Sequence, residues 1–104
     1  MKRADVYELR MPTGKGHEQR DKRFGVVVQT DAWLPSSVVL VAPTSTSARA
    51  STLRPELVIK GARTRVLVEQ LSAVDATRLG KRVATVDPSE MWAIDDALRT
   101  VLAL

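Results

Sequence analysis

The segment that begins at Asp87 admits one local structure. Asp87 can cap a helix, Pro88 suits its first position, and Glu90 completes a capping box. Apolar residues then recur at Met91, Ile94, Leu98, Val101 and Leu102, one stripe of a helix. Asp95, Asp96 and Arg99 fill much of the other side. Such a stripe needs an apolar surface to cover, so the rest of the chain has to supply one.

It does so with short β-branched runs. Ala4 to Arg10 alternates loosely around Val6, Tyr7 and Leu9 and reads as a strand. Met11 to Lys22 holds Pro12, Gly14, Gly16 and dense charge, a long loop of the length that often carries function. Phe24 to Gln29 suits a buried strand, Thr30 to Ser36 a turn, and Ser37 to Ala42 another strand. Pro43 to Leu53 reads as a Ser/Thr-rich loop and Pro55 to Lys60 as a short strand. Gly61 to Thr64 reads as a turn, and Arg65 to Val68 as a strand leading into Glu69-Gln70. Asp75 to Gly80 reads as one helical turn, capped by Asp75 and ended by Gly80; Lys81 to Val86 is the last strand. The expected fold class is mainly β with a C-terminal helix packed on the strands, in a single domain spanning residues 1–104.

A chain of 104 residues buries only about 60–65% of the surface it exposes when unfolded, so covering leftover apolar area by homodimerisation is expected. It has no cysteine, which excludes disulfides and thiolate catalysis. Its one histidine excludes a His-rich zinc site, and neither metal nor cofactor is expected. Met1 to Arg10 holds no apolar secretory core, and no apolar run approaches the roughly 20 residues of a membrane span. A cytoplasmic location is the expectation. The net charge of +4 is uneven: residues 1–23 hold seven cations and four anions, 24–65 five and two, and 66–104 four and six. That asymmetry fits a polyanionic partner for the N-terminal two-thirds, or equally a solvated charged surface.

Gly16-His17-Glu18-Gln19-Arg20-Asp21-Lys22-Arg23 is delivered straight onto the Phe24 strand. Arginine supplies paired donors for phosphate oxygens, while Glu18 or His17 can move protons, so the loop is a plausible holder for a phosphodiester. Thr44-Ser45-Thr46-Ser47-Ala48-Arg49 follows the next apolar run. If the two runs pair, both clusters line one face. The same Ser/Thr cluster also reads as a turn satisfying its own backbone, and Glu18 as a solvated carboxylate. Gln19 and Gln70 have amides suited to base edges. Phe24 and Trp33 can stack on bases but read more naturally as core or rim packing, and Trp92 as core or a dimer contact.

Several of these residues, in this order, resemble the MazF/PemK-type toxins. Ala4-Asp5-Val6-Tyr7, Gly16-His17-Glu18-Gln19 and Arg23 leading into Val26-Val27-Val28-Gln29 and Asp31 are similar to the family's opening. Val41-Ala42-Pro43-Thr44-Ser45-Thr46 resembles its second motif, and Val68-Glu69-Gln70-Leu71 with Val74-Asp75 and Arg78-Leu79 its third. With the final helix the resemblance covers nearly the whole chain. It implies a small SH3-like barrel of the MazF/CcdB toxin type that works as a homodimer. It implies a metal-independent endoribonuclease cutting single-stranded RNA at a short sequence, partnered by an antitoxin whose acidic tail occupies the RNA groove.

By that resemblance Arg23, Ser45 and Glu18 are the catalytic candidates. Arg23 would stabilise charge on the phosphate oxygens, Ser45 would donate to them, and Glu18 would act as base or orient Arg23. Thr44 and Thr46 remain alternatives for the hydroxyl and, with His17, Gln19 and Gln70, are the RNA-binding candidates. Three departures stand out: Phe24-Gly25 where Pro commonly follows the arginine, Thr30 where Asn is frequent, and Ser45 in place of Thr. Two other functions fit the same fold: a non-catalytic toxin that poisons DNA gyrase by protein contact, and a plain nucleic-acid-binding SH3-like module.

Overall fold

A computed structural model of the chain describes residues 1–10 and 23–104. Among them are seven strands and one α-helix: β1 (Asp5–Leu9), β2 (Phe24–Val27), β3 (Val38–Ser45), β4 (Glu56–Ile59), β5 (Ala62–Val66), β6 (Ser72–Asp75), β7 (Leu79–Thr85) and α1 (Pro88–Leu102). The strands form one antiparallel sheet in the order β4-β5-β3-β2-β1-β7, with β6 also on β3. β3 is the hinge of this arrangement. Val41 to Pro43 pairs with β2 along one edge, while on the other Val38 to Val41 pairs with β6 and Thr44-Ser45 with β5. Handing the strand from one neighbour to another curls the sheet into a half-barrel.

The middle of the sheet is covered on both faces, which explains why β2 reads as a continuous apolar run instead of alternating. Val6, Val26, Ala42, Leu57, Ile59 and Val66 join Met91, Ile94, Ala97 and Leu98 of α1 in one core. Leu9, Val27, Val39, Val41 and Val74 form a second on the opposite face. Gly25 faces that second core, where an added Cβ would rest 3.5 Å from Val41. The sequence pattern obeys the two-residue period once both faces are counted.

The helix forms as its capping residues dictate. The Asp87 carboxylate accepts from the Glu90 N–H at 2.9 Å, and Glu90 Oε1 accepts from the Asp87 N–H at 3.5 Å. Its buried face is Met91, Ile94, Ala97 and Leu98; Val101 is half-buried and Leu102 exposed, so the apolar stripe loosens in the last turn. Arg3 fastens the helix to the N-terminal segment through a forked pair on Asp95, at 2.7 and 3.3 Å, and donates from Nε to the Val28 carbonyl at 2.8 Å. No helix among the described residues is long and apolar enough to cross a membrane.

Several boundaries differ from expectation. β3 runs through Pro43, Thr44 and Ser45, which were expected in a loop. Proline is tolerated because its missing N–H falls where β3 passes from β6 to β5, and its carbonyl still accepts from the Leu67 N–H at 2.8 Å. The turn expected at Gly61 to Thr64 is Lys60-Gly61, with φ of 53° and 80°, a pair that matches the twist of a tight hairpin and lets β5 begin at Ala62. Val68 to Gln70 is a 3₁₀ turn, not the end of a strand, and Ser72–Asp75 is a strand that was missed. Asp75 does cap a short turn at Ala76–Arg78, but Gly80 lies inside β7 instead of ending it. Trp33 and Trp92 are 73% and 80% exposed, so neither packs in the core. Trp92 sits next to buried Met91, and one helical step of about 100° carries it off the apolar face.

Candidate functional site

The end of the sheet where β2, β3 and β5 meet gathers the candidate groups. Arg23 immediately precedes β2 and is half-buried. Its carbonyl accepts from the Leu9 N–H at 2.9 Å, which fixes its backbone against β1. On the other side the Phe24 N–H donates to Thr44 Oγ1 at 3.3 Å. Thr44 is 2% exposed, so its hydroxyl serves as a buried latch between β2 and β3. The β2–β3 pairs are Val27–Val41, Val26–Ala42 and Gly25–Pro43, where the ladder ends; the same register carried two residues further would place Arg23 opposite Ser45. Both then project from the face that carries Gly25 and Val27, away from the helix. Among the described residues the Arg23 guanidinium has no hydrogen-bonding or ionic partner.

Ser45 ends β3 half-buried, and its Oγ accepts from the Ser47 N–H at 3.2 Å and lies 3.3 Å from Ser47 Oγ. The cluster therefore does satisfy its own backbone, as a Ser/Thr turn would. A hydroxyl that accepts such a bond keeps its proton for donation, to Ser47 Oγ or to a ligand. Thr46 is exposed just past the strand. Gln70 is exposed at the end of a 3₁₀ turn that the Leu67–Pro43 bond pins to β3. His17, Glu18 and Gln19 lie outside the described residues.

Next to these groups stands an ionic network that the sequence reading did not select. Arg54 is forked onto Glu69, with Nη2 at 2.8 Å and Nε at 3.0 Å from Oε2. The hydrogen bond from Arg54 holds the Glu69 carboxyl below its ordinary value of 4.5. Arg65 donates from Nη1 to the Arg54 carbonyl at 2.9 Å and from Nη2 to Glu56 Oε1 at 3.3 Å. The signal for Glu56 and Arg65 was present in the tight Lys60-Gly61 turn, whose register makes them partners. The site thus offers guanidinium groups and hydroxyls on one sheet face, a set suited to binding phosphate.

A curled antiparallel sheet closed by one C-terminal helix, with these groups at its end, has the architecture of the MazF toxins. The Mycobacterium tuberculosis toxin MazF-mt6 superposes with a TM-score of 0.80 at 14% identity, over 96% of this chain and 97% of that one. A mycobacterial endoribonuclease solved with its cognate antitoxin gives 0.82 at 20% identity, over 100% and 96%. MazF of Deinococcus radiodurans gives 0.81 at 18%, over 100% and 97%. The sequence goes further than the fold. The profile described as "PemK-like, MazF-like toxin of type II toxin-antitoxin system" matches residues 2–102, and the chain belongs to that family. A Mycobacterium tuberculosis protein that carries a toxin designation, Rv3098A, is 38% identical over 104 residues, covering 98% of this chain and 97% of its own length.

Proposed function

We propose that the chain is an endoribonuclease toxin that cuts single-stranded RNA at a short sequence without a metal, and that it acts in the cytoplasm as a homodimer. The observation that carries this reading is that Arg23, one residue before β2, and Ser45, the last residue of β3, fall at the same end of the paired strands, with no partner for the guanidinium among the described residues. The ribose 2′-oxygen attacks the adjacent phosphorus, forming the O2′–P bond as the P–O5′ bond breaks. The 2′-hydroxyl proton passes to Glu18, and the leaving 5′-oxygen takes up a proton from solvent water. Arg23 holds the non-bridging oxygens as charge builds on them, with two directed hydrogen bonds, and Ser45 or Thr46 adds a hydroxyl donor. The products are a 2′,3′-cyclic phosphate and a 5′-hydroxyl. Family membership and a structural relative solved with its cognate antitoxin support a partner whose acidic tail covers the same cationic face. His17, Gln19 and Gln70 would contact the RNA bases.

The test is to incubate the purified protein with a long unstructured RNA in EDTA and map the ends. Arg23→Ala is expected to lose about 10²–10³ in rate, or about 2.7–4 kcal/mol, the usual cost of one transition-state donor. A fully active variant removes Arg23 from the mechanism. Intact RNA together with inhibited gyrase supercoiling replaces the nuclease reading with that of a protein-contact toxin.

A further inference from the structure

Arg65 lies directly across from Ser45 on one side of β5 and from Glu56 on the other. Opposed residues of antiparallel strands share a face, with Cβ atoms about 4.5–5.5 Å apart. Ser45, Arg65 and Glu56 thus form one row across the sheet, and Arg23 extends it on the far side of Ser45 when the β2–β3 register is carried two residues past its last pair. Thr64 and Val66, the neighbours of Arg65 in β5, point the other way into the core beneath the helix.

The guanidinium in this row is already ordered. Glu56 Oε1 and the Arg54 carbonyl each take one proton from it, and Arg54 is itself forked onto Glu69. Five N–H donors are present, so one on each Nη and the Nε proton are unused by those bonds. The side chain remains 25% exposed. A ligand meeting this group need not bear the cost of ordering it, unlike one that recruits a free surface arginine. Arg63 is the natural contrast. It reaches the same Glu56 carboxylate, Nε to Oε2 at 3.5 Å, but is 83% exposed and stands across from Val58, outside the row.

We propose that Arg65 is a phosphate-positioning residue, holding the RNA backbone phosphate next to the one cleaved and so fixing the strand's register over Ser45. The inference rests on the RNA reading above. Strands about 4.8 Å apart put the backbones of Arg23 and Arg65 roughly 10 Å apart, astride Ser45. The bond to Glu56 draws the Arg65 head towards β4 and away from Ser45, which suits the neighbouring phosphate better than the scissile one. A phosphate contact carries no base information, so the effect is the same for every RNA sequence.

The experiment measures binding of a 2′-O-methyl RNA oligonucleotide, which cannot be cleaved, over a range of salt concentrations, alongside cleavage kinetics on unmodified RNA. Arg65→Gln is expected to reduce the slope of log K against log salt by about 0.7, the value for one phosphate on a single strand. In cleavage its loss falls mainly on KM, several-fold, and Arg63→Gln leaves both slope and KM as in the wild type. Should Arg65→Gln fail to fold, Arg65→Lys carries the test: it keeps the slope but binds at least threefold more weakly. A wild-type protein that cuts RNA while Arg65→Gln keeps the full slope, or while Arg63→Gln lowers it equally, overturns the inference and spares the nuclease reading. So does an Arg65→Lys variant that matches the wild type throughout. A wild-type protein that binds with an Arg65-dependent slope but never cuts upholds Arg65 as a backbone-phosphate contact and sinks the nuclease reading, and with it the place beside a cleaved phosphate. A wild-type protein that does not bind the oligonucleotide overturns the inference.

Discussion

Thr44 is where the two halves of the site are tied, and replacing it with valine removes the tie at nearly constant volume. Its hydroxyl oxygen accepts from the Phe24 N–H at 3.3 Å, one residue from Arg23, while Arg23 keeps its second tether, the 2.9 Å bond from Leu9. In Thr44→Val that N–H loses its acceptor at a half-buried position. An unmade hydrogen bond of this kind costs about 1–3 kcal/mol. The length of the bond and the partial burial of its donor place the cost near the lower figure, about 1 kcal/mol, or about 4–8 °C in Tm for a domain of this size. The catalytic effect is separate. A 1 Å displacement of a positioned group can cost about 100-fold, and with one of two tethers left a fall of about tenfold is expected. Thr44→Ser keeps the oxygen and should stay near wild type in rate, while its melt carries only the loss of one buried methyl, about 0.8 kcal/mol. Thermal melts and RNA cleavage read the two effects independently. A Thr44→Val protein with wild-type Tm and rate refutes the latch. One that melts normally yet loses more than about 1,000-fold would mean that the hydroxyl acts on the RNA itself.

Other consequences follow from the same geometry. Thr64 is 4% exposed and its Oγ1 has no hydrogen-bond partner among the described residues, so Thr64→Val should raise stability by about 1 kcal/mol in a urea melt; a loss would reveal a partner. A double-mutant cycle on Arg3 and Asp95, whose side chains are 32% and 27% exposed, should give a coupling of about 1 kcal/mol that shrinks in 1 M salt. Hydrogen bonds to the Thr77 and Glu90 N–H groups hold the Asp75 and Asp87 carboxyls below 3.8, and Arg54 holds Glu69 below 4.5. Depressed carboxyls stabilise the fold above their unfolded values and lose that contribution as pH falls through the folded ones, so Tm should drop below about pH 4. Burial raises the Tyr7 phenol above 10.0, so stability should fall again as pH rises beyond about 10. A Tm flat down to pH 2 would show that the three carboxyls are not stabilising groups.

What the sequence made legible was whatever is settled within a few residues. The Asp87 cap, the Pro88 start and the core positions Met91, Ile94 and Leu98 all follow from local spacing, and the structure bears them out. β6 was missed because Ser72-Ala73-Val74-Asp75 has one buried residue and becomes a strand only by pairing with β3. β3 was cut short at Ala42 because Pro43 signals a break locally, while its tolerance depends on which strand lies alongside. In each case tertiary pairing overrode a local preference.

The site divides along the same line. Lys60-Gly61 is a two-residue hairpin turn, which the sequence suggested only through Gly61 and placed too late, at Gly61 to Thr64; it fixes Ile59 against Ala62 and therefore Glu56 against Arg65. A slip of one residue would turn Arg65 into the core and bring Thr64 out, and an arginine could not be buried there unpaired. The pairing of Arg65 with Ser45 has no such local source, because residues 46–61 intervene between β3 and β5 and only the curl of the sheet brings the strands together. The start of β2 lies beside the end of β3 by direct antiparallel pairing. Arg23, Ser45 and Arg65 thus come from three separate segments and meet only because β3 is long enough to touch both neighbours. That extra length is the stretch Pro43 to Ser45, which local reasoning assigned to a loop. The residue that obscured the strand in the sequence therefore belongs to the stretch on which the phosphate-binding row depends.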